Sequence, residues 1–235
     1  MNTAPRTTLV PRPKEQPFFT RYWCPSGSAW KIYRYQWFLR PCREIAFAGL
    51  ARAPLGIVVE FGSGRGSAAE GEPNPTHVAL DIVAFRAPDA RRVAGDAQIL
   101  PFRDQSLSGI WGQTALMHLS PELVAAEAHR VLRPGGVLAV VEPLRGHPLI
   151  GLARNFLPGR RVRPEFMRFR ELQALGSRFR RAQVVPFFLV SPVTLLTARR
   201  SVPVVRALQA LDALLLRRLP ALHPMAWYAA AWFQK

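Results

Sequence analysis

Short apolar runs recur along the middle of the chain, and each stops at a small, polar or acidic residue. The run at 56–61 leads into a glycine loop, 77–82 carries Asp81 near its end, and 92–95 leads into Asp96. A fourth run spans 108–113 and a fifth, apolar nearly throughout, spans 136–142. An unbroken apolar run of this length fits a parallel strand covered on both faces. Between the last two runs, Ser120 and Pro121 have the chemistry of an N-cap and first helical position. They predict a helix over 121–132, ended by Arg133-Pro134-Gly135-Gly136. Strands alternating with helices predict an α/β fold, with a parallel doubly wound sheet.

The flanks are less regular. Residues 30–50 are spaced for a helix, broken at Pro41. A helix is expected over 165–175, a sixth strand over 181–190 and a last strand over 226–233. The connection at 191–225 is long. In it Val204, Val205, Leu208, Leu211, Leu215 and Leu219 recur at helical spacing, with Arg206, Gln209, Asp212 and Arg217 on the other side. The expected organisation is one domain over 1–235. It comprises a loose tail at 1–16, an aromatic and basic helical segment at 17–54 and a core at 55–143. The remaining part, 144–235, carries the helical insertion. No repeat is visible. The apolar stretch 184–198 is shorter than the ~18 residues a span needs and is cut by Pro186 and Pro192. The polar, Pro-rich start lacks the apolar centre of a signal peptide, so a cytoplasmic protein is expected.

Charge divides the chain in the same places. Residues 1–54 hold 9 basic and 2 acidic groups, net +7, and residues 55–143 hold 7 and 10, net −3. Residues 144–235 hold 16 and 3, net +13, of a total of +17. The positive excess therefore lies outside the core. A basic surface can be merely solvated, or it can attract anionic lipid, a phosphate-bearing acceptor or nucleic acid. Residues 17–54 also hold Phe18, Phe19, Tyr22, Trp23, Trp30, Tyr33, Tyr35, Trp37 and Phe38, which are 9 of the 24 aromatics. Arginines interleaved with aromatics suit a membrane interface, base stacking, or a helix packing its rings on the sheet. Cys24 and Cys42, the only cysteines, form neither a CxxC pair nor a metal-like cluster. No metal site is expected.

Three marks carry the chemistry. The first is Glu60-Phe61-Gly62-Ser63-Gly64-Arg65-Gly66, where glycines let backbone come close to a ligand. A dinucleotide fold prefers GxGxxG, and here position 67 is Ser. The second is Asp81, a carboxylate able to accept from both ribose hydroxyls. The third is Asp96-Ala97, with Asp96 placed to accept from an adenine amino group and the Ala97 N–H to meet the ring. Ile99, Leu100 and Phe102 would add an apolar wall. The first two marks fit NAD or S-adenosylmethionine; the third favours S-adenosylmethionine.

The run from Gly95 to Leu107, then Glu127-Ala128-His129-Arg130-Val131-Leu132-Arg133-Pro134-Gly135-Gly136, closely resembles the class I S-adenosylmethionine-dependent methyltransferases, and most the "type 11" small-molecule group. The resemblance covers residues 56–143. It implies a Rossmann-like doubly wound sheet of about seven strands, mostly parallel with an antiparallel last strand, plus a helical lid. It also implies that Glu60 and the Gly62, Ser63, Gly64 and Gly66 loop hold the methionine portion of the cofactor. Asp81 would bind ribose with Ile82 beside the adenine, Asp96 and Ala97 would read adenine, and Gln113 would lie near the methionine ammonium and the sulfonium. The chain departs from its relatives at Leu107-Ser108-Gly109-Ile110, where many have an Asp near position 108. Its helices after strands one and two are cut short by Pro73, Pro75 and Pro88, a form that resembles relatives linked to cell-envelope glycans and lipids.

Methyl transfer from a sulfonium is an in-line displacement, so alignment and exclusion of water are the main tasks. A hydroxyl acceptor also needs a base. His118, just past the fourth strand, is the candidate, with His147 and Glu142, past the fifth, as weaker ones. The aromatic segment and the 191–225 connection are expected to form the lid. The expected partner is a small or lipid-linked acceptor such as an envelope glycan, quinone or other amphipathic metabolite, reached at the inner face of an anionic membrane or in the cytoplasm. Nucleic acid fits poorly, since the chain has no appended RNA-binding module and no Asn-Pro-Pro-aromatic motif. A second class stays open: a non-catalytic cofactor-binding or membrane-associated interaction protein of the same fold. Oligomeric state is not legible.

Overall fold

The computed structural model describes residues 38–64, 77–83, 91–156, 164–195 and 202–235. The tail at 1–16, the aromatics before Phe38, Gly66 and the two Pro-cut connections lie outside the described residues, the second connection in its 84–90 part.

The chain builds one seven-stranded sheet in the order β3-β2-β1-β4-β5-β7-β6. The strands are β1 (Val58–Phe61), β2 (His77–Asp81), β3 (Arg92–Ala94), β4 (Leu107–Gln113), β5 (Leu132–Pro143), β6 (Arg181–Phe187) and β7 (Tyr228–Gln234). Pairings from β3 through β5 are parallel, and β7 runs antiparallel to both β5 and β6. This is the Rossmann-like arrangement expected, with the reversed last strand inserted beside the sixth.

Helices cover both faces. On one face α2 (Pro121–Val131) buries Val124, Ala125, Ala128 and Val131, and α4 (Phe169–Leu175) buries Phe169, Leu172 and Leu175. They cover Val59, Phe61, Ile110 and Leu138 of the sheet. On the other face α1 (Arg40–Leu50) buries Cys42 and Ala46 in a cluster with Trp111, Val137, Ala139 and Trp232. Among the described residues the remaining α-helices are α3 (Pro148–Phe156) and α5 (Val202–Arg218), and α5 contributes Val205 to the second cluster and Leu216 to the first.

Several boundaries differ from expectation. Pro41 stands in the first turn of α1, where a missing N–H costs nothing, and the part of the expected helix before Phe38 lies outside the described residues. β5 begins at Leu132, so Arg133-Pro134-Gly135-Gly136 lies within the strand, at a register shift opposite Leu107–Gly109. Gly135 there has φ +79°, a conformation that favours glycine. α4 starts at Phe169, not 165, because Met167 forms a bridge with Leu144. β6 stops at Phe187 because Phe188 adopts φ +64° and leaves the ladder.

The largest correction concerns α5. Its buried positions are Val205, Asp212 and Leu216, with Gln209 half-buried on the same seam. The Asp212 carboxylate accepts from the N–H groups of Val190 (2.6 Å) and Ser191 (3.1 Å). Of the expected apolar side, Val205 is buried in this seam, while Val204, Leu208, Leu211 and Leu215 lie beside it with Val204 and Leu211 exposed. A buried polar group is tolerated when it is hydrogen-bonded, and Asp212 satisfies two backbone donors that would otherwise be orphaned.

Candidate functional site

The site lies where the strand order reverses, between β1 and β4, at the carboxyl ends of the parallel strands. Ligands of open α/β sheets bind at such switch points. After β1 the chain turns at Gly62 (φ +66°) and Gly64 (φ +56°). A Cβ on Gly62 would come within 2.7 Å of the Ala115 Cβ, so the loop after β1 rests directly on the loop after β4.

Asp81 ties the glycine loop to β2. Its Oδ2 accepts from the Gly64 N–H at 2.8 Å and its Oδ1 from the Val83 N–H at 3.0 Å. Burial pushes its carboxyl above the usual range, while the Val83 and Gly64 donors and the Arg92 charge hold it down. Arg92, on β3, donates to the Gly64 carbonyl at 2.7 Å and so clamps the loop from the other side. Ile82 follows Asp81 at the same edge and is half-buried. Ser63 is buried, and its hydroxyl has no hydrogen-bond partner among the described residues. Glu60 is also buried, on the sheet face opposite Phe61, with Oε2 at 3.1 Å from His77 Nε2.

The Asp96 turn is locked in its own way. Asp96 Oδ1 accepts from the Gln98 N–H at 2.8 Å, and the Gln98 amide lies 3.1–3.2 Å from both carboxylate oxygens. The same amide's oxygen accepts from the Ser120 N–H at 2.9 Å. One side chain thus fixes the Asp96 turn against the start of α2, two residues beyond His118. Ala97 is buried beside it. Of the expected apolar wall, Leu100 is instead turned into the core, Phe102 is half-buried and Ile99 is exposed.

The motif Glu127-Ala128-His129-Arg130 now has a physical role. Arg130 donates to the carbonyls of Leu100 and Phe102, each at 3.0 Å, and pairs with Glu127 and Asp104. Glu127 accepts from the Leu100 N–H at 2.9 Å. Arg130 holds the Glu127 carboxyl below its usual range. Helix α2 therefore grips the segment that follows the Asp96 turn.

Past β4, Gln113 is half-buried, Thr114 takes φ +56°, and Leu116–His118 form a short 3-10 turn. Positive φ is uncommon for a side chain branched at Cβ. Glu142, inside β5 and not past it, sits under this turn. Its Oε1 accepts from the N–H groups of Ala115 (2.9 Å) and Leu116 (3.0 Å). Burial pushes its carboxyl up to about 8, against the lowering effect of the Leu116, Ala115 and Met117 donors. Its second oxygen has no partner among the described residues. Glu142 holds the loop that carries Gln113 and His118. His147 is buried, with Nε2 2.9 Å from the Leu189 carbonyl and Nδ1 accepting from the Ile150 N–H at 3.3 Å. It caps α3 as a neutral ring. His118 is half-buried in its turn at the site edge. No cluster that could hold a metal occurs among the described residues.

The geometry thus brings the β1 loop, Asp81, the Asp96 turn and the β4 loop to one edge, each locked to a neighbour. A backbone cradle, an acidic strand end and an acidic turn fit a nucleoside cofactor with an amino-acid tail. Sequence reasoning missed Arg92, Gln98 and the Glu127–Arg130 pair, whose partners are mostly backbone groups distant in sequence.

Residues 59–140 match the family model described as methyltransferase domain. Over 152 residues the chain is 30% identical to a demethylmenaquinone methyltransferase of Renibacterium salmoninarum, covering 59% of each protein. Over 72 residues it is 40% identical to a malonyl-[acyl-carrier protein] O-methyltransferase of Dechloromonas aromatica, covering 29% of this chain and 28% of the relative. The match thus spans less than two thirds of either relative. The fold superposes on a SAM-dependent methyltransferase from Archaeoglobus fulgidus with TM-score 0.56, 18% identity, and coverage of 86% and 94%. Residues 59–140 thus match a methyltransferase domain, and the fold is one shared with solved S-adenosylmethionine-dependent methyltransferases.

Proposed function

We propose that this protein transfers a methyl group from S-adenosylmethionine to a small or lipid-linked amphipathic acceptor. The observation that carries this reading is the interlocking of the glycine loop, Asp81 and the Asp96 turn at the β1/β4 switch point. The two relatives are named for a quinone precursor and a carrier-bound acyl acceptor, which supports a small or carrier-linked substrate.

The bound cofactor supplies an activated methyl on a sulfonium. The chain's own residues supply position. The Gly62–Gly64 backbone receives the amino-acid portion, with Ser63 and Gln113 beside it. Asp81 keeps lone pairs for the ribose hydroxyls after accepting from Gly64 and Val83. Asp96 and the Ala97 N–H address the adenine edge, with Ile82 against the ring. Where the acceptor is a hydroxyl, neutral His118 takes its proton as the methyl is transferred. The Glu142-anchored turn keeps His118 in place for that step.

The test follows label from methyl-tritiated S-adenosylmethionine into the organic phase of a lipid and isoprenoid extract. Label should appear with the native protein and fall at least tenfold with His118→Ala at saturating cofactor, while cofactor affinity stays unchanged. Lost cofactor binding with unchanged turnover at saturation would remove His118 from this role. Absence of any labelled product across acceptor classes would favour a non-catalytic cofactor-binding member.

A further inference from the structure

Helix α5 presents an apolar stripe that the described residues leave partly open, with Val204 and Leu211 exposed and Leu208 and Leu215 half-buried. Val204, Leu208, Leu211 and Leu215 are spaced i, i+4, i+7 and i+11, which places them along one side of the helix. Leu211 is 40% exposed and Leu214, beside the stripe, 46%. The seam that α5 buries is a different one, centred on Val205, Asp212 and Leu216. Helix α3 adjoins through the same segment: Leu189 meets His147 at the start of α3, and Val190 and Ser191 meet Asp212 of α5. α3 leaves Leu149 and Leu152 more than half exposed. Both helices follow the ends of β5 and β6 that lie at the carboxyl edge of the sheet, the edge that holds the cofactor site.

The charge around these helices selects the partner. Residues 144–235 hold 16 basic and 3 acidic side chains, and one of the three, Asp212, is buried in backbone hydrogen bonds. Beside the stripe the surface is basic, with Arg218 on the same side of α5 and Arg145 just before α3 both exposed. A second copy seated on the stripe would set Arg145 and Arg218 against arginines of the same sign. A nucleic acid would find leucines where it needs stacking rings or phosphate donors. An anionic bilayer satisfies both features: leucines enter the acyl boundary, and arginines meet the headgroups. No described helix is long and apolar enough to cross a membrane, so the contact would be peripheral.

We infer that the exposed sides of α5 and α3 dock this protein on an anionic lipid surface, with the carboxyl edge of the sheet turned toward the bilayer. This adds a surface to the methyl-transfer reading and does not depend on it. The docking would deliver an amphipathic acceptor to the site without its leaving the membrane.

The experiment is flotation of the full chain with vesicles of phosphatidylglycerol and phosphatidylcholine, or of phosphatidylcholine alone, at low and high salt. Three proteins are compared: native, Leu211→Glu with Leu214→Glu, and Arg145→Glu with Arg218→Glu. Circular dichroism and the thermal shift given by S-adenosylhomocysteine check that each variant is folded with its site intact. The native protein should float with anionic vesicles at low salt, with binding weakened about tenfold at high salt or without the anionic lipid. Each double variant should bind at least tenfold more weakly while keeping its ligand shift. No flotation of the native protein at low salt overturns the inference. So does equal binding by the leucine variant, which would put the contact elsewhere, or a native dimer that the leucine variant dissociates, which would make the stripe a protein interface.

Discussion

The Glu142 carboxylate accepts hydrogen bonds from the backbone N–H groups of Ala115 (2.9 Å) and Leu116 (3.0 Å), 27 and 26 residues earlier in the chain. A strand buried in the centre of the sheet thereby sets the position of the turn that carries His118.

The burial of this carboxyl makes stability depend on pH. Burial raises the Glu142 carboxyl to about 8 from an ordinary value of 4.5, so the folded state holds a proton that the unfolded chain releases. The contribution is full below about pH 4.5 and is lost as pH rises through about 8. Glu142→Gln cannot ionise and keeps an amide oxygen for the two donors. Thermal melts at pH 6 and pH 9 should show native stability falling across this range by more than the variant's. Parallel pH dependence in the two proteins would show that Glu142 does not titrate there.

Asp81 accepts from Gly64 and Val83, and the proposed function gives its remaining lone pairs to the ribose hydroxyls. Asp81→Ala should weaken S-adenosylhomocysteine binding about tenfold to a hundredfold, the range for hydrogen bonds to a charged group. Isothermal calorimetry measures this, and unchanged affinity would place the ribose elsewhere.

Gly62 has no room for a side chain. Gly62→Ala would drive a Cβ to within 2.7 Å of Ala115 and force alanine to φ +66°. The left-handed conformation alone costs about 1–2 kcal/mol. A drop in melting temperature together with weaker ligand binding is expected; native values for both would contradict the observed loop contact.

Arg130 grips the segment after the Asp96 turn through the carbonyls of Leu100 and Phe102. Arg130→Ala leaves Glu127 without its cation and two carbonyls without donors. It should cost about 2 kcal/mol, as for charged hydrogen bonds. Faster amide exchange should be confined to residues 96–104 and the first turn of α2. Uniform loosening of the whole sheet would contradict a local grip.

How far these relations could be seen in the sequence depended on what each residue does. The strands at 58–61, 107–113 and 132–143 are apolar because both faces are covered, and the turn residues after them announce themselves by type. Asp81 and Asp96 were legible because a carboxylate at a strand end has few structural reasons to be there. Asp212 was not. Period-based reading sends a polar residue to solvent, whereas this one satisfies Val190 and Ser191, about twenty residues earlier. Gln98 and Arg130 were also invisible as site residues, because their partners include backbone groups that carry no sequence signal. Leu100 sits one position beyond exposed Ile99 and faces the core, a distinction that depends on the Asp96–Ile99 bridge.

The central claim is that Gly62–Gly64, Asp81 and the Asp96 turn form an S-adenosylmethionine site, and the most direct test is the melting temperature of the full chain with S-adenosylhomocysteine. A ligand that binds only the native state adds about 2.7 kcal/mol at a hundredfold excess over its Kd, or roughly 5–10 °C for a protein of this size. The expected result is a rise that grows with the logarithm of ligand concentration above Kd and is much reduced in Asp81→Ala. A native protein whose melting temperature does not move at millimolar ligand would contradict it.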